Sequence, residues 1–182
     1  PKALKSDVLE RVGLEPDSYV VLTVHRPGNV DDLAKLKNIV DAVSQLDETV
    51  VFPVHPRTVE RLRQSGLIKN LAKTGNMKLI DPLSYHEMLK LMVNARLVLT
   101  DSGGLQKEAF WLHVPCVTLR DRTEWGETVR LGANVLVGNN REKIIKEARK
   151  CLAGVKKINK ISNPFGDGVA SRKIIKILIK NA

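Results

Sequence analysis

An open, mostly parallel α/β sheet with helices on both faces is the fold this sequence predicts, and three observations predict it. Apolar runs of strand length alternate with stretches of helical spacing from end to end, as βαβ units require. Polar clusters follow the carboxyl ends of several of those runs, where open α/β sheets gather their ligands. Finally, 182 residues with 43% hydrophobic and 27% charged content suit one ordinary domain with a sizeable core.

The expected strands, in order, are residues 19–25, 49–55, 77–80, 96–100, 115–119 and 134–137. Between them, residues 31–46, 56–65, 84–94, 105–113 and 141–152 have helical spacing. In the first of these, Leu33, Leu36, Ile39, Val40, Val43 and Leu46 follow the 3.6-residue period. Ser84 with Glu87 three residues later forms a capping box that opens the helix over 84–94. Leu105, Ala109 and Leu112 carry the next helix, so Ser102, Gly103 and Gly104 fall at a strand-to-helix turn. A loop over 158–168, containing Asn163-Pro164-Phe165-Gly166-Asp167-Gly168, precedes a final helix from 169 to 179 or 180. No repeat, low-complexity segment or internal linker interrupts this order, so residues 1–182 read as a single domain.

Composition narrows the function classes. A net charge of +10 favours an anionic partner, but 4% aromatics with no basic-aromatic interleaving argues against nucleic acid. The densest basic stretch, Lys156, Lys157 and Lys160 on to Arg172, Lys173, Lys176 and Lys180, reads as the solvated face of late helices. No apolar run approaches the ~20 residues that span a bilayer, and no signal-peptide pattern is present, so no membrane partner is expected. Cys116 and Cys151 cannot form a disulfide framework and read as reduced thiols of a cytoplasmic protein. His25, His55, His86 and His113 lack close metal-ligand spacing, so no metal is expected. Neither G-x-G-x-x-G nor G-x-x-x-x-G-K-[ST] occurs, which argues against a nicotinamide cofactor and a P-loop. Pro1 in place of methionine suggests a piece of a longer protein.

Asp101-Ser102-Gly103-Gly104-Leu105-Gln106-Lys107-Glu108 carries the strongest chemical signal. A helix start presents unpaired N–H groups and the positive end of the dipole, which suits a phosphate. Two glycines let an anion approach the backbone without meeting a Cβ. Glu108, about one turn further on, can accept hydrogen bonds from two neighbouring ribose hydroxyls. Read alone, the octapeptide is equally a capped helix bearing a surface glutamate.

Taken together, five segments resemble the non-hydrolysing UDP-N-acetylglucosamine 2-epimerases. They are Thr23-Val24-His25-Arg26-Pro27-Gly28-Asn29-Val30-Asp31, Val54-His55-Pro56, the octapeptide followed by Ala109, Thr123-Glu124, and Gly166-Asp167-Gly168. The resemblance covers essentially the whole chain and implies the C-terminal, UDP-binding half of a GT-B fold, a Rossmann-like domain whose N-terminal partner is absent. It implies inversion at C2 of UDP-GlcNAc to UDP-ManNAc by elimination and re-addition of UDP, without a cofactor. Ser102, Gly103 and Gly104 would hold the diphosphate and Glu108 the ribose. His25 would be the active-site histidine, bonding the diphosphate or shuttling a proton. Arg26 is a phosphate contact or a structural ion pair. Met88 stands where some relatives carry an aromatic beside the uracil, or is a packed core methionine. Family members commonly pair, so a homodimer is also allowed.

Two positions depart from the family pattern. Gly28 replaces a frequent glutamate, and Trp125 stands where many members have an arginine that reaches the phosphate; Arg120, Arg122 and Arg130 are the candidates to replace it. Two other functions compete. The donor domain of a GT-B glycosyltransferase would keep the same cradle but lack the His25–Asn29 pattern. A nucleic-acid module would bind with strong salt dependence and ignore UDP.

Overall fold

Every residue of the first strand, β1 (Tyr19–Thr23), is buried, because it runs through the middle of a sheet covered on both sides. The computed structural model describes residues 5–154 and 163–181. Five further strands, β2 (Thr49–Pro53), β3 (Met77–Ile80), β4 (Leu97–Thr100), β5 (Cys116–Thr118) and β6 (Asn134–Leu136), join β1 in the order β3-β2-β1-β4-β5-β6. All the pairings are parallel, with Thr23 opposite Thr100 and Tyr19 opposite Thr49. All six expected strands are present, several of them a residue or two shorter than expected. They end where the backbone leaves the ladder to carry polar groups such as His25 and His55.

Side chains alternate between two cores, as the period of a strand dictates. On one face, Val20, Leu22, Phe52, Leu97 and Leu99 pack against α3 (Leu33–Val43), α4 (Pro56–Gln64), α5 (Leu67–Lys73) and α9 (Arg141–Ala153). On the other, Tyr19, Val21, Val51 and Val98 meet α1 (Val8–Val12), α6 (Tyr85–Val93) and α7 (Gly103–Trp111). Each large aliphatic side chain buried this way contributes roughly 1.5–3 kcal/mol. The Tyr19 hydroxyl, deep in the second core, donates to the Leu91 carbonyl and so meets its polar requirement.

Helix starts follow the expected chemistry. Ser84 and Glu87 form the reciprocal capping box of α6. Asp32 caps α3 by accepting from Ala34 and Lys35, and Asn140 caps α9 by accepting from Lys143. Four short helices were not foreseen: α1, α2 (Pro27–Val30), α5 and α8 (Gly126–Arg130). Each is seven residues or fewer, too short to show a helical period. The Lys78 ammonium reaches from β3 to the Val12 and Gly13 carbonyls and closes the end of α1.

The last helix, α10 (Ala170–Lys180), has no buried residue at all. Arg172, Lys173, Lys176 and Lys180 are solvated as expected, but its apolar residues are exposed too. Lys156, Lys157 and Lys160, and the first part of the loop over 158–168, lie outside the described residues. Among the described residues, no helix is long and apolar enough to cross a membrane.

Candidate functional site

The strand order reverses at the seam between β1 and β4, and the polar groups converge on the carboxyl ends of these two strands. Thr23 and Thr100 share a hydrogen bond of 2.6 Å across the seam, buried from water. One residue further, Asp101 is fully buried. Its carboxylate accepts from the backbone N–H of His25 (3.1 Å) and Arg26 (2.9 Å) and from the Asn29 side chain (3.2 Å). Asn29 also donates to the Leu119 carbonyl, tying the loop after β1 to the end of β5. The turn that carries His25 and Arg26 is therefore fastened to the start of the octapeptide by one carboxylate. His25 Nδ1 faces the same carboxylate at 3.4 Å.

The octapeptide forms the turn and helix the sequence indicates. Ser102 is the extended N-cap of α7, its hydroxyl accepting from Leu105 N–H at 3.4 Å. The N–H groups of Gly103 and Gly104 have no acceptor among the described residues. A Cβ at Gly103 would stand 3.1 Å from Glu124 Oε2 and 3.8 Å from Arg26 Nη2, so this glycine admits two opposite charges beside the helix start. The Arg26 guanidinium forms no ion pair or side-chain hydrogen bond among the described residues. Its Nη2 lies beside Gly103, where its charge also acts on the nearby Glu124 carboxylate.

Glu108 projects from the second turn of α7 and is half-buried. Burial pushes its carboxyl above the usual carboxylate range, and a hydrogen bond from Tyr85 partly opposes this. A group with a raised pKa takes up its proton at higher pH than an ordinary glutamate. A ribose hydroxyl pair bound by the ionised form should therefore be lost earlier on acidification. Uridine carries no titrating phosphate and isolates the effect: its affinity is expected to fall as pH enters the mildly acidic range, measured by calorimetry, and a flat profile would count against the ribose clamp.

A buried polar chain that single-sequence reasoning missed holds the loop after β5. Gln106, fully buried, accepts from Thr123 and Asn134, and Asn134 in turn donates to Thr128 and accepts from Thr118. Thr123 Oγ1 accepts from Trp125 N–H, and the Trp125 indole donates to the Gly103 carbonyl at 2.7 Å. Trp125, standing at the family's arginine position, thus braces the first residue of α7. Its ring also covers the Lys107 ammonium at 4.3 Å, together with Trp111 and with Phe165 from the segment before α10. In the same loop Arg120 grips Glu124 with two hydrogen bonds, 2.7 and 3.0 Å, and holds that carboxyl down at about 2.

Met88 is half-buried on α6 and packs against the second core. It also lines an apolar cavity of about 280 Å³ with His25, His55, Leu83 and Leu105. His25, Arg26, Ser102, Gly103, Gly104, Glu108 and Met88 all belong to one rim, at the ends of β1 and β4 and on the helices beside them. Asp101, Asn29 and Glu124 stand in the segments that carry the resemblance, but sequence reasoning gives none of them a role; the buried hydrogen bonds and the ion pair with Arg120 do. Among the described residues no group of three or more His, Cys, Asp or Glu is placed to hold a metal.

A family model described as UDP-N-acetylglucosamine 2-epimerase matches residues 1–179. The chain is 46% identical over 166 residues to the UDP-N-acetylglucosamine 2-epimerase of Methanocaldococcus jannaschii, covering 89% of this chain and 44% of that protein. It is 44% identical over 167 residues to UDP-2,3-diacetamido-2,3-dideoxy-D-glucuronate 2-epimerase of Pseudomonas aeruginosa, covering 90% of this chain and 45% of that protein. The crystal structure of the M. jannaschii enzyme in complex with UDP-GlcNAc and UDP superposes with a TM-score of 0.85 at 44% identity, covering 98% of this chain and 50% of that one. The chain spans about half the length of the curated relatives it matches.

Proposed function

This chain belongs to the UDP-N-acetylglucosamine 2-epimerase family, and from that premise we propose that it is the nucleotide-binding half of an enzyme that converts UDP-GlcNAc to UDP-ManNAc. One observation carries the reading: the free N–H groups of Gly103 and Gly104, the Arg26 guanidinium, His25 and Glu108 converge on a single rim beside an apolar cavity. Residues 1–182 act as a single UDP-binding Rossmann-like domain, the C-terminal half of a GT-B pair. The diphosphate lies on Ser102, Gly103 and Gly104 beneath Arg26. The ribose hydroxyls donate to Glu108, and the base enters the cavity beside Met88.

The C2 proton of such a sugar is flanked by no carbonyl, so its removal depends on how well the departing charge is stabilised. A base takes that proton, the C1–O bond breaks, and its electron pair leaves on UDP to give a 2-acetamidoglucal. Re-addition of UDP with the proton delivered to the opposite face gives the epimer. His25, with Nδ1 turned toward Asp101, offers Nε2 to the diphosphate or to a proton in transit. The acidic groups that act on C2 belong to the N-terminal half. The uncovered apolar side of α10, with Ile174, Ile175, Ile177, Leu178 and Ile179 between 55% and 74% exposed, supports a further domain packing there.

Calorimetric titration with UDP, UMP and uridine tests the reading. Saturable binding that prefers UDP to UMP is expected; no binding by the chain or by a version extended with a relative's N-terminal half would sink it. The 182 residues alone are expected to form no UDP-ManNAc from UDP-GlcNAc, and product above a no-protein blank would contradict the role given to the other half.

A further inference from the structure

Trp125 leaves the anion site one arginine short of the family pattern, and three arginines lie close enough in sequence to replace it. Arg130 is 74% exposed and paired with Glu127 on its own helix. Arg122 is exposed and lines a cavity only with residues of its own loop. Arg120 shares a cavity with Arg26, a space of about 360 Å³ that also reaches Gly28 and Lys35. Its side chain is 20% exposed, against 52% for its partner Glu124.

The partner's position is informative. Glu124 Oε2 and Arg26 Nη2 flank the same point beside Gly103, so the Glu124 carboxylate sits next to the start of α7 between two guanidinium groups. Both cations and the helix dipole favour an anion there. The carboxylate is the anion this chain itself supplies; Arg120 holds it by two hydrogen bonds, but it is half in water, so a more highly charged anion can compete for the same fork. Gly28, with nothing within 4 Å of where a Cβ would stand, places no second carboxylate near Arg26.

Resting on the UDP reading above, we propose that Arg120 is the second diphosphate-binding cation of this site, and that its ion pair with Glu124 is exchanged for phosphate oxygens when the nucleotide binds. A guanidinium carries five N–H donors in a fixed fork, which fits phosphate as well as carboxylate. A diphosphate brings more charge to the fork than one carboxylate does. The displaced Glu124 moves into solvent, and its repulsion of the incoming anion falls as it leaves.

Titrations with UDP and with uridine on the wild type, Arg120→Met, Arg122→Met, Glu124→Gln and the double variant Arg120→Met/Glu124→Gln test this. Arg120→Met is expected to weaken UDP by about tenfold or more while uridine stays within roughly twofold. Arg122→Met changes neither. Glu124→Gln tightens UDP by about threefold or more at low salt, and the gain shrinks when Arg120 is absent. Wild-type UDP affinity in Arg120→Met, or equal losses of UDP and uridine, would overturn the assignment of Arg120. Weaker UDP binding in Glu124→Gln would overturn the exchange. A wild type that binds uridine and UDP equally overturns this inference and leaves the nucleoside site standing, whereas one that binds neither overturns the functional reading itself.

Discussion

Asp101→Ala is expected to lower the unfolding free energy by about 3–5 kcal/mol and to abolish UDP binding in the fraction that stays folded. The carboxylate is fully buried and accepts from two backbone N–H groups and the Asn29 amide, with His25 Nδ1 at 3.4 Å. Removing it leaves those donors without acceptors in a place water does not reach. Asp101→Asn keeps the shape but presents an amide donor to donors, so it should lose nearly as much. Urea denaturation gives the stability change, and UDP titration well below the unfolding midpoint gives the binding change. A variant that binds UDP normally while losing stability would show that the turn bearing His25 and Arg26 holds its place without the anchor.

Glu108→Ala should weaken UDP roughly 30-fold, the loss of two hydroxyl hydrogen bonds to a charged acceptor. Uridine should lose the same factor, because both ligands carry the ribose. The sharper test is 2′-deoxy-UDP. The wild type should bind it more weakly than UDP, and the variant should not tell the two apart. Stability should move the other way or not at all. A carboxyl whose folded pKa is raised costs the fold free energy above that pKa, and the cost is relieved as pH falls through it, so removing the group does not destabilise at neutral pH. A Glu108→Ala protein that unfolds more easily and still prefers UDP to 2′-deoxy-UDP would point to a packing role.

The strands were readable because a parallel strand buried on both faces is a near-continuous apolar run, as in Val20, Val21 and Leu22. The long helices were readable from period and caps, above all Ser84 with Glu87. Helix α5 follows Gly66, whose positive φ breaks the helix before it and resets the pattern within seven residues. The cradle was legible because its residues are contiguous in sequence. The anchor was not: Asp101 meets His25 across 76 positions, and nothing local distinguishes a buried acceptor from a solvated aspartate. Trp125 is the clearest case of a residue whose work shows only in three dimensions, since its indole braces the backbone of a glycine 22 positions earlier.

The strand order also governs when the site can exist. Strands β1, β2 and β3 pair among themselves using only the first 80 residues, so that half of the sheet can assemble while the rest of the chain is still being synthesised. One flank of β1 then stays bare until residues 97–100 emerge and dock beside it. Until that moment the nascent chain carries an open, largely apolar strand edge, which is a template for pairing with the wrong neighbour. The seam between β1 and β4 is thus an exposed pairing surface during the chain's own birth. A nucleotide that binds across it would act as a latch on the finished fold, so refolding yields should rise when UDP is present from the start.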